Sequence, residues 1–405
     1  MAVITGAITG LIVAGFDRLV IGVIFDHVLR LPSWVLGFLP GLGLLIAFAA
    51  RRVIGGRGVT PSTSDEYLHS FHEANHSLGW RPLIARLVAA VATLGSGNPM
   101  GLEGPSMYAG ATVGTHLQDR FKNTFGDTDR RTLLVAGAAA GVSAIFKAPA
   151  TGAVFALEVP YRGDLARRML LPALVASATG YLVFAAINGT NALFPIAGTP
   201  AFKFREFLGV AVIGVVAGLG ARLFGWLLRH AKRLAASTHP LLMTIAAGIV
   251  IGGLFAIGMA LTDKSLVLGS GYRIIDWAGD PTHSAWLLLA MLAIRCLATS
   301  AAVAGGGVGG LFVPLVVAGA LTGALIGGLV YKSDLELFIV IGVAAFLGAG
   351  YRVPLAAVMF VAETTGRPSF VVPGLIAAVA AELVMGRSSI SAYQKDPPEV
   401  TVADT

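Results

Sequence analysis

The sequence predicts an all-α polytopic membrane protein, built from two related halves whose helices are interrupted in matching places. Three observations support this: an apolar composition, self-similarity at one spacing, and clusters of glycine and proline inside apolar stretches. Of the 405 residues, 56% are hydrophobic and 13% are charged, whereas soluble domains carry about 25% charged residues. This composition excludes an ordinary soluble protein and indicates a chain that lies in the lipid bilayer.

Apolar stretches that could cross the bilayer recur along the whole chain. A hydrocarbon core of about 30 Å requires about 20 apolar residues in a helix. We place such stretches at residues 4–26, 33–50, 82–98, 132–158, 169–187, 206–228, 241–262, 285–304, 310–331, 336–348 and 370–386. The chain also contains 52 glycines, which are typical of helices that pack closely or break inside a membrane.

The net charge of +7 reflects topology rather than nucleic-acid binding. Most basic residues fall in short loops, and short basic loops stay in the cytoplasm. We therefore expect a multi-pass protein of the cell (inner) membrane, with no nucleic-acid partner. The single cysteine, Cys296, excludes an intrachain disulfide or a multi-cysteine metal cluster, and the sequence predicts no metal and no cofactor.

Three pairs of segments repeat in the same order. Phe146–Glu158 matches Tyr351–Glu363, and their prolines, Pro149 and Pro354, are 205 positions apart. The other two pairs are Gly101–Pro105 with Gly310–Pro314 and, more weakly, Gly56-Arg57-Gly58 with Gly269-Ser270-Gly271. The repeat predicts a first membrane half at 1–190, a second at 200–394 and a short polar tail at 395–405. Such halves in transporters usually have opposite orientations, so we expect two inverted repeats.

Both halves contain a broken helix that suits an anion. The stretch 95–105 carries Pro99, Pro105 and four glycines, and a helical pattern resumes from Ser106. The stretch 305–314 has the same character, with Pro314 near the restart. Helix N-termini present free N–H groups and positive dipole ends to an anion. A single glycine-rich stretch is more often a packing site, but its repetition in both halves favours anion binding.

Glu103 lies inside the first break. An ionisable group at membrane depth is costly and marks a functional site. Its carboxylate could occupy the anion position and leave it on protonation, which makes Glu103 the predicted gate. The alternative is a fixed helix cap.

At these residues the sequence resembles the CLC family of chloride channels and chloride/proton antiporters. Gly101-Leu102-Glu103-Gly104-Pro105 is similar to the family's outer-gate motif, and Gly310-Leu311-Phe312-Val313-Pro314 to its second anion motif. The resemblance implies a CLC-type fold, a homodimer with one pathway in each subunit, and anion contacts from the backbone of Leu311 and Phe312. It assigns the anion-coordinating tyrosine to Tyr393, which could otherwise be an interfacial anchor. The anion-binding residues it implies are Gly56, Arg57, Gly58, Gly101, Leu102, Gly104, Gly310, Leu311, Phe312 and Tyr393.

The sequence departs from the family pattern at three positions. Arg57 stands where the family's first anion motif has serine, either as a positive charge at the inner mouth or as a solvated cytoplasmic charge. Leu102 replaces the usual arginine beside the gate. Val159 occupies the position of the internal proton-transfer glutamate of the antiporters, and Glu158 is one residue away, about 100° around the helix.

We therefore expect transport of chloride or a similar halide across the bilayer, channel-like or weakly coupled to protons. A fluoride/proton antiporter of the same family is the near alternative, because the position of Arg57 tunes halide selectivity. An unrelated cation-coupled transporter with inverted repeats is more remote, since the broken helices present positive ends. No enzyme motif is present in the sequence. His69, His72 and His76 fit a solvated face better than a metal site.

Overall fold

The computed structural model describes residues 1–73, 75–125, 130–190, 206–330 and 334–397. Within these residues the regular elements are helices, and two isolated bridges are the β pairings. Eight helical segments of the described chain are long and apolar enough to cross a membrane. The predicted linker near residues 190–200 and most of the polar tail lie outside the described residues, so the boundaries of the two halves stay a prediction.

The first half begins with a span that runs from Ala2 to Val28 through a π-helical segment. Its helices are α1 (Ala2–Asp17), α2 (Asp26–Val28), α3 (Ser33–Ala50), α4 (Thr63–His72), α5 (Trp80–Gly95), α6 (Glu103–Phe125), α7 (Arg131–Phe146), α8 (Pro149–Glu158) and α9 (Leu170–Asn188).

The second half presents a matching series of helices. These are α10 (Glu206–Ala235), α11 (Pro240–Thr262), α12 (Tyr272–Ala278), α13 (Ala285–Ala304), α14 (Phe312–Val330), α15 (Leu335–Tyr351), α16 (Pro354–Thr365) and α17 (Val371–Met385). The breaks predicted from glycine and proline lie between α5 and α6 and between α13 and α14.

The predicted stretch 132–158 is two helices rather than one. Lys147 adopts a left-handed backbone conformation with φ of 53° at the end of α7, and Pro149 then starts α8. Arg352, the equivalent residue of the second half, has φ of 58° between α15 and α16. Proline at the first helical position suits a new helix start. The apolar composition of residues 132–158 gives no sign of this turn. Lys147 and Pro149 are the residues in the sequence that indicate it.

Glycines bring the helices next to each break into backbone contact. A Cβ atom on Gly110 of α6 would overlap the carbonyl of Gly137 on α7, and one on Gly319 of α14 would overlap the carbonyl of Gly342 on α15. Small residues let membrane helices approach this closely. The same close crossing therefore supports the helix after the break in each half.

Two glutamates show that the halves are inverted. The Glu158 carboxylate, at the end of α8, accepts hydrogen bonds from the N–H groups of Leu355 (3.1 Å) and Ala356 (2.8 Å) at the start of α16. Glu363, near the end of α16, accepts from the N–H groups of Ala150 (2.9 Å) and Thr151 (2.6 Å) at the start of α8. The end of each helix therefore meets the start of its repeat, so these equivalent helices run antiparallel, as the inverted repeat predicts.

We expect Glu363→Ala to destabilise the protein without touching either break. The substitution removes a charged acceptor from two N–H groups and the Thr151 hydroxyl, and a hydrogen bond to a charged group contributes about 1.5–3 kcal/mol. The midpoint temperature for unfolding in detergent should fall. Glu73→Ala is the control, because Glu73 is exposed and pairs with His69 at the surface. Equal midpoint temperatures for the two variants would contradict a stabilising role for the hydrogen bonds of Glu363 at the start of α8.

Candidate functional site

The two breaks lie against each other. Gly101 donates its N–H to the carbonyl of Gly310 at 3.0 Å, and Gly310 donates to the carbonyl of Gly101 at 2.7 Å, which forms a single antiparallel bridge. This bridge satisfies backbone groups that the interrupted helices leave free. It also brings the start of α6 and the start of α14 to one place.

The Glu103 carboxylate is bound at the N-terminus of α14. Its Oε1 accepts from the N–H of Phe312 at 2.7 Å and from that of Val313 at 3.4 Å. Its Oε2 is buried and has no hydrogen-bond partner among the described residues. A helix N-terminus binds anions through its free N–H groups and dipole, so the carboxylate stands where a small anion would bind. We call this place the Glu103 seat, formed by the N–H groups of Phe312 and Val313.

Glycine is needed on both sides of the Glu103 seat. A Cβ atom at Gly101 or Gly310 would overlap the Glu103 carboxylate, and one at Gly104 would lie 3.0 Å from the Cα atom of Gly310. Gly101 and Gly310 therefore leave the volume that the carboxylate fills, and Gly104 allows the close approach of the two breaks.

A cavity of about 360 Å³ leads to the breaks from one side. We call it the vestibule. Gly309 and Leu311 of the second break line it together with the loop Gly56-Arg57-Gly58 and with Tyr351. The predicted first anion motif and the second motif thus share one cavity, whereas the Glu103 carboxylate lies beyond it.

The vestibule carries an excess of positive charge. Arg51, Arg52 and Arg57 line it, and the other two charged residues of its wall, Lys232 and Asp65, form an ion pair at 2.6 Å. The three arginines form no ion pair among the described residues, and such cations attract anions and repel cations. The vestibule is therefore suited to concentrating anions.

Arg51 reaches further inward than Arg57. It donates to the carbonyl of Val59 at 3.3 Å, and its Nε is buried without a partner. A Cβ atom on Gly306, in the second break, would lie 2.6 Å from its Nη2, whereas the Arg57 side chain is exposed. Sequence reasoning treated Arg51 only as a topological charge. Its position directly after an apolar span was the available signal.

A family profile described as voltage gated chloride channel matches residues 42–386. The chain belongs to this family, the CLC family. The H(+)/Cl(-) exchange transporter ClcA of Klebsiella pneumoniae subsp. pneumoniae is 29% identical over 411 aligned residues, covering 95% of this chain and 84% of the relative. ClcA of Citrobacter koseri is 28% identical with the same coverage. CLC proteins move anions across membranes and are not enzymes, so anion transport by a multi-pass membrane protein follows.

Solved structures show the same fold. A slow cyanobacterial Cl−/H+ antiporter superposes with a TM-score of 0.82 at 21% identity, covering 95% of this chain and 93% of the other. A CLC-type fluoride/proton antiporter also gives a TM-score of 0.82 at 21% identity, covering 98% of this chain and 97% of the other. The CLC-type fold predicted from the sequence is confirmed.

Tyr393 of this CLC protein does not lie at the vestibule. Its side chain is 39% exposed and stacks on His69, with ring centroids 4.5 Å apart. From the same segment, Ile390 and Ser391 line the vestibule instead. The anion-binding role of Tyr393 stays a prediction, and the tyrosine that lines the vestibule is Tyr351.

Two of the three positions that depart from the family pattern, Leu102 and Val159, carry buried apolar side chains. Leu102 is 5% exposed and Val159 is 1% exposed. Glu158, next to Val159, is held at the start of α16, as described above. In the turn after α8, the Nε2 atom of His72 lies 2.9 Å from the carbonyl oxygen of Pro160. Position 159 therefore has no carboxylate, and the Glu158 carboxylate is bound by the N–H groups at the start of α16.

Proposed function

We propose that this CLC protein carries chloride, or a closely related halide, through the vestibule and the Glu103 seat, with Glu103 as a protonatable gate. One observation carries the proposal: the Glu103 carboxylate already accepts the hydrogen bonds that an anion would accept at the start of α14. A charged carboxylate competes with the anion, and a protonated one binds these N–H groups more weakly. Anion flux should therefore rise as pH falls.

We propose further that the vestibule faces the cytoplasm of the cell, across the inner membrane. Arg51, Arg52 and Arg57 surround it, and basic residues close to the ends of spans stay on the cytoplasmic side. A homodimer, with one such pathway in each subunit, is the assembly that family membership favours.

Coupling of the anion to protons is weak or absent in this proposal. Val159 has no titratable group at the position where antiporters of the family commonly carry glutamate. The neighbouring Glu158 carboxylate accepts hydrogen bonds from two N–H groups at the start of α16. Proton transfer needs a chain of groups that can accept and donate a proton. The protein then behaves as a channel-like or loosely coupled conductor.

Fluoride is the second candidate substrate. Arg57 replaces the serine of the family's first anion motif, and the structure of a CLC-type fluoride/proton antiporter superposes closely on this chain. A strongly hydrated anion needs strong donors, and Arg51, Arg52 and Arg57 line the vestibule.

The test is anion efflux from proteoliposomes under an outward gradient, with external pH recorded together with chloride. We expect chloride efflux with little or no proton movement against the proton gradient. Uphill proton movement driven by chloride would establish an antiporter and contradict weak coupling. Efflux of fluoride but not chloride would select the second candidate, and efflux of neither anion would overturn the proposed function.

A further inference from the structure

An open groove with apolar walls runs between α3 and α11 on the surface of the protein. The two helices cross at glycines, since a Cβ atom on Gly248 would lie 2.6 Å from the Cα atom of Gly41. Large side chains flank this crossing, and Phe38 and Ile249 are 76% and 71% exposed. The space between them has a volume of about 790 Å³ and is lined by residues of these two helices. We call it the α3–α11 groove.

The α3–α11 groove is as long as one leaflet of the bilayer is thick. On α3 it extends from Trp34 to Leu45, which is about 17 Å at 1.5 Å per residue. The hydrocarbon core is about 30 Å thick, so one leaflet contributes about 15 Å. Trp34 is 72% exposed at the end of the groove, as expected for a tryptophan at the membrane surface. The groove therefore extends from one membrane surface to the middle of the bilayer.

A polar cavity of about 670 Å³ lies at the Trp34 end of the groove. Ser33 and Met259 line both spaces, so the groove and the polar cavity are continuous. The α3 helix leads from this cavity to Arg51 of the vestibule, and α11 leads from Pro240 of the vestibule back to the cavity. The polar cavity therefore lies on the membrane face opposite the vestibule.

The polar cavity presents both signs of charge to a ligand. Its basic residues are Lys264 and Arg273, and its acidic residues are Asp263, Asp276 and Asp280. Within the described part of the chain, no ion pair joins one of these bases to one of these acids. Phosphate oxygens form strong hydrogen bonds with arginine and lysine, and carboxylates form them with an ammonium group. A ligand that carries both a phosphate and an ammonium group would therefore satisfy both signs.

The groove and the cavity together favour a zwitterionic lipid over other occupants. A free phosphate ion would leave the groove empty, and a purely anionic headgroup would meet three acidic side chains. A second apolar helix would leave the charges of the polar cavity without partners. An ethanolamine headgroup carries a phosphate and an ammonium group with three N–H donors, like that of lysine, whereas a choline headgroup has no N–H to donate.

We propose that the α3–α11 groove and the polar cavity bind one phospholipid with an ethanolamine headgroup, taken from the leaflet opposite the vestibule. One acyl chain lies in the groove, the phosphate binds Lys264 and Arg273, and the ammonium group binds Asp263 and Asp276. Lipid headgroups bind in basic pockets between membrane helices in the same manner, and the acidic residues select the zwitterionic headgroup. This lipid site does not depend on which anion the protein carries.

The first test fills the groove. Gly253 lines it, and a Cβ atom there would meet nothing within 4 Å, so Gly253→Phe should fold. Gly15→Phe is the matched control, because Gly15 is an exposed glycine of α1 with equally open surroundings. Protein in detergent is titrated with phosphatidylethanolamine, and native mass spectrometry counts the lipids bound to each chain.

We expect one tightly bound lipid in the wild type and in Gly15→Phe, and binding about 5-fold weaker or more in Gly253→Phe. Wild-type lipid binding in Gly253→Phe would overturn the proposal. A Gly253→Phe protein that loses a second protein chain instead of a lipid would also overturn it, because the groove would then hold a partner helix.

The second test compares phosphatidylethanolamine with phosphatidylcholine of the same acyl chains. The wild type should bind the ethanolamine lipid about 2- to 12-fold more tightly, the effect of one hydrogen bond. The double variant Asp263→Asn with Asp276→Asn keeps the side-chain shapes without the charges, and it should bind the two lipids equally. Neither carboxylate has a hydrogen bond or an ion pair among the described residues, so the fold should not change. Equal binding by the wild type, or a preference that persists in the double variant, would overturn the headgroup assignment.

Discussion

Anion flux through Glu103→Gln should be independent of pH and, near neutral pH, should exceed the flux of the wild type. Glutamine has the shape of the protonated acid but carries no charge at any pH. It loses the charge-assisted bonds to the N–H groups of Phe312 and Val313, each of which contributes about 1.5–3 kcal/mol. The transported anion then competes with a weaker acceptor for these N–H groups. The fraction of Glu103 seats that hold an anion should rise by about 10-fold or more.

The sign of the wild-type pH dependence follows from the same contact. Raising the pH charges Glu103, holds it on α14 and lowers flux, whereas lowering the pH releases it. Efflux from proteoliposomes at acid and neutral pH gives the comparison. Glu158→Gln is the matched control, because Glu158 also caps a helix of the other half but lies outside the Glu103 seat. Flux that vanishes in a well-folded Glu103→Gln protein would make Glu103 a structural cap instead.

Gly310→Ala should reduce anion flux by about 10-fold or more, since the added methyl group enters the seat. Its Cβ would overlap the Glu103 carboxylate and lie 2.7 Å from the nitrogen of Gly104. Overpacking of this kind costs about 1–3 kcal/mol and would separate the two breaks. The measurement is initial efflux rate per folded protein.

Gly328→Ala is the control for Gly310→Ala. Gly328 lies in α14 too, and a Cβ atom there would meet nothing within 4 Å. The double variant Glu103→Ala with Gly310→Ala should recover part of the flux, because the carboxylate that the methyl group displaces is gone. Wild-type flux in Gly310→Ala would show that the working protein does not hold the carboxylate over Gly310.

The parts of the site that could be predicted from the sequence are those with local signals. Glycine and proline restrict or free the backbone at their own positions, so the breaks at 95–105 and 305–314 could be located without tertiary information. The repeat also predicted that the two breaks aim at one point, whereas the backbone pairing of Gly101 with Gly310 is seen only in the structure. The fold class and the inversion were predicted for the same reason and are confirmed.

The place of Tyr393 in the fold could not be predicted from the sequence, because it depends on tertiary contacts. The segment after α17 is irregular, so no periodicity indicates which side chain faces the vestibule, and Ile390 rather than Tyr393 does so. The signal that could have found Tyr351 was the repeat itself. Phe146 and Tyr351 occupy equivalent places in the two halves, and only Tyr351 carries a hydroxyl group.

The exchange of caps between Glu158 and Glu363 bears on how the protein is made. The ribosome releases α8 long before α16, so the amides of Ala150 and Thr151 enter the bilayer without the carboxylate that later binds them. Glu158 likewise lacks the amides of Leu355 and Ala356 until the last quarter of synthesis. Each half therefore completes the other, and the chain reaches its final form only when its C-terminal spans arrive. We therefore expect that neither half, expressed alone, would reach the conformation it has in the whole chain.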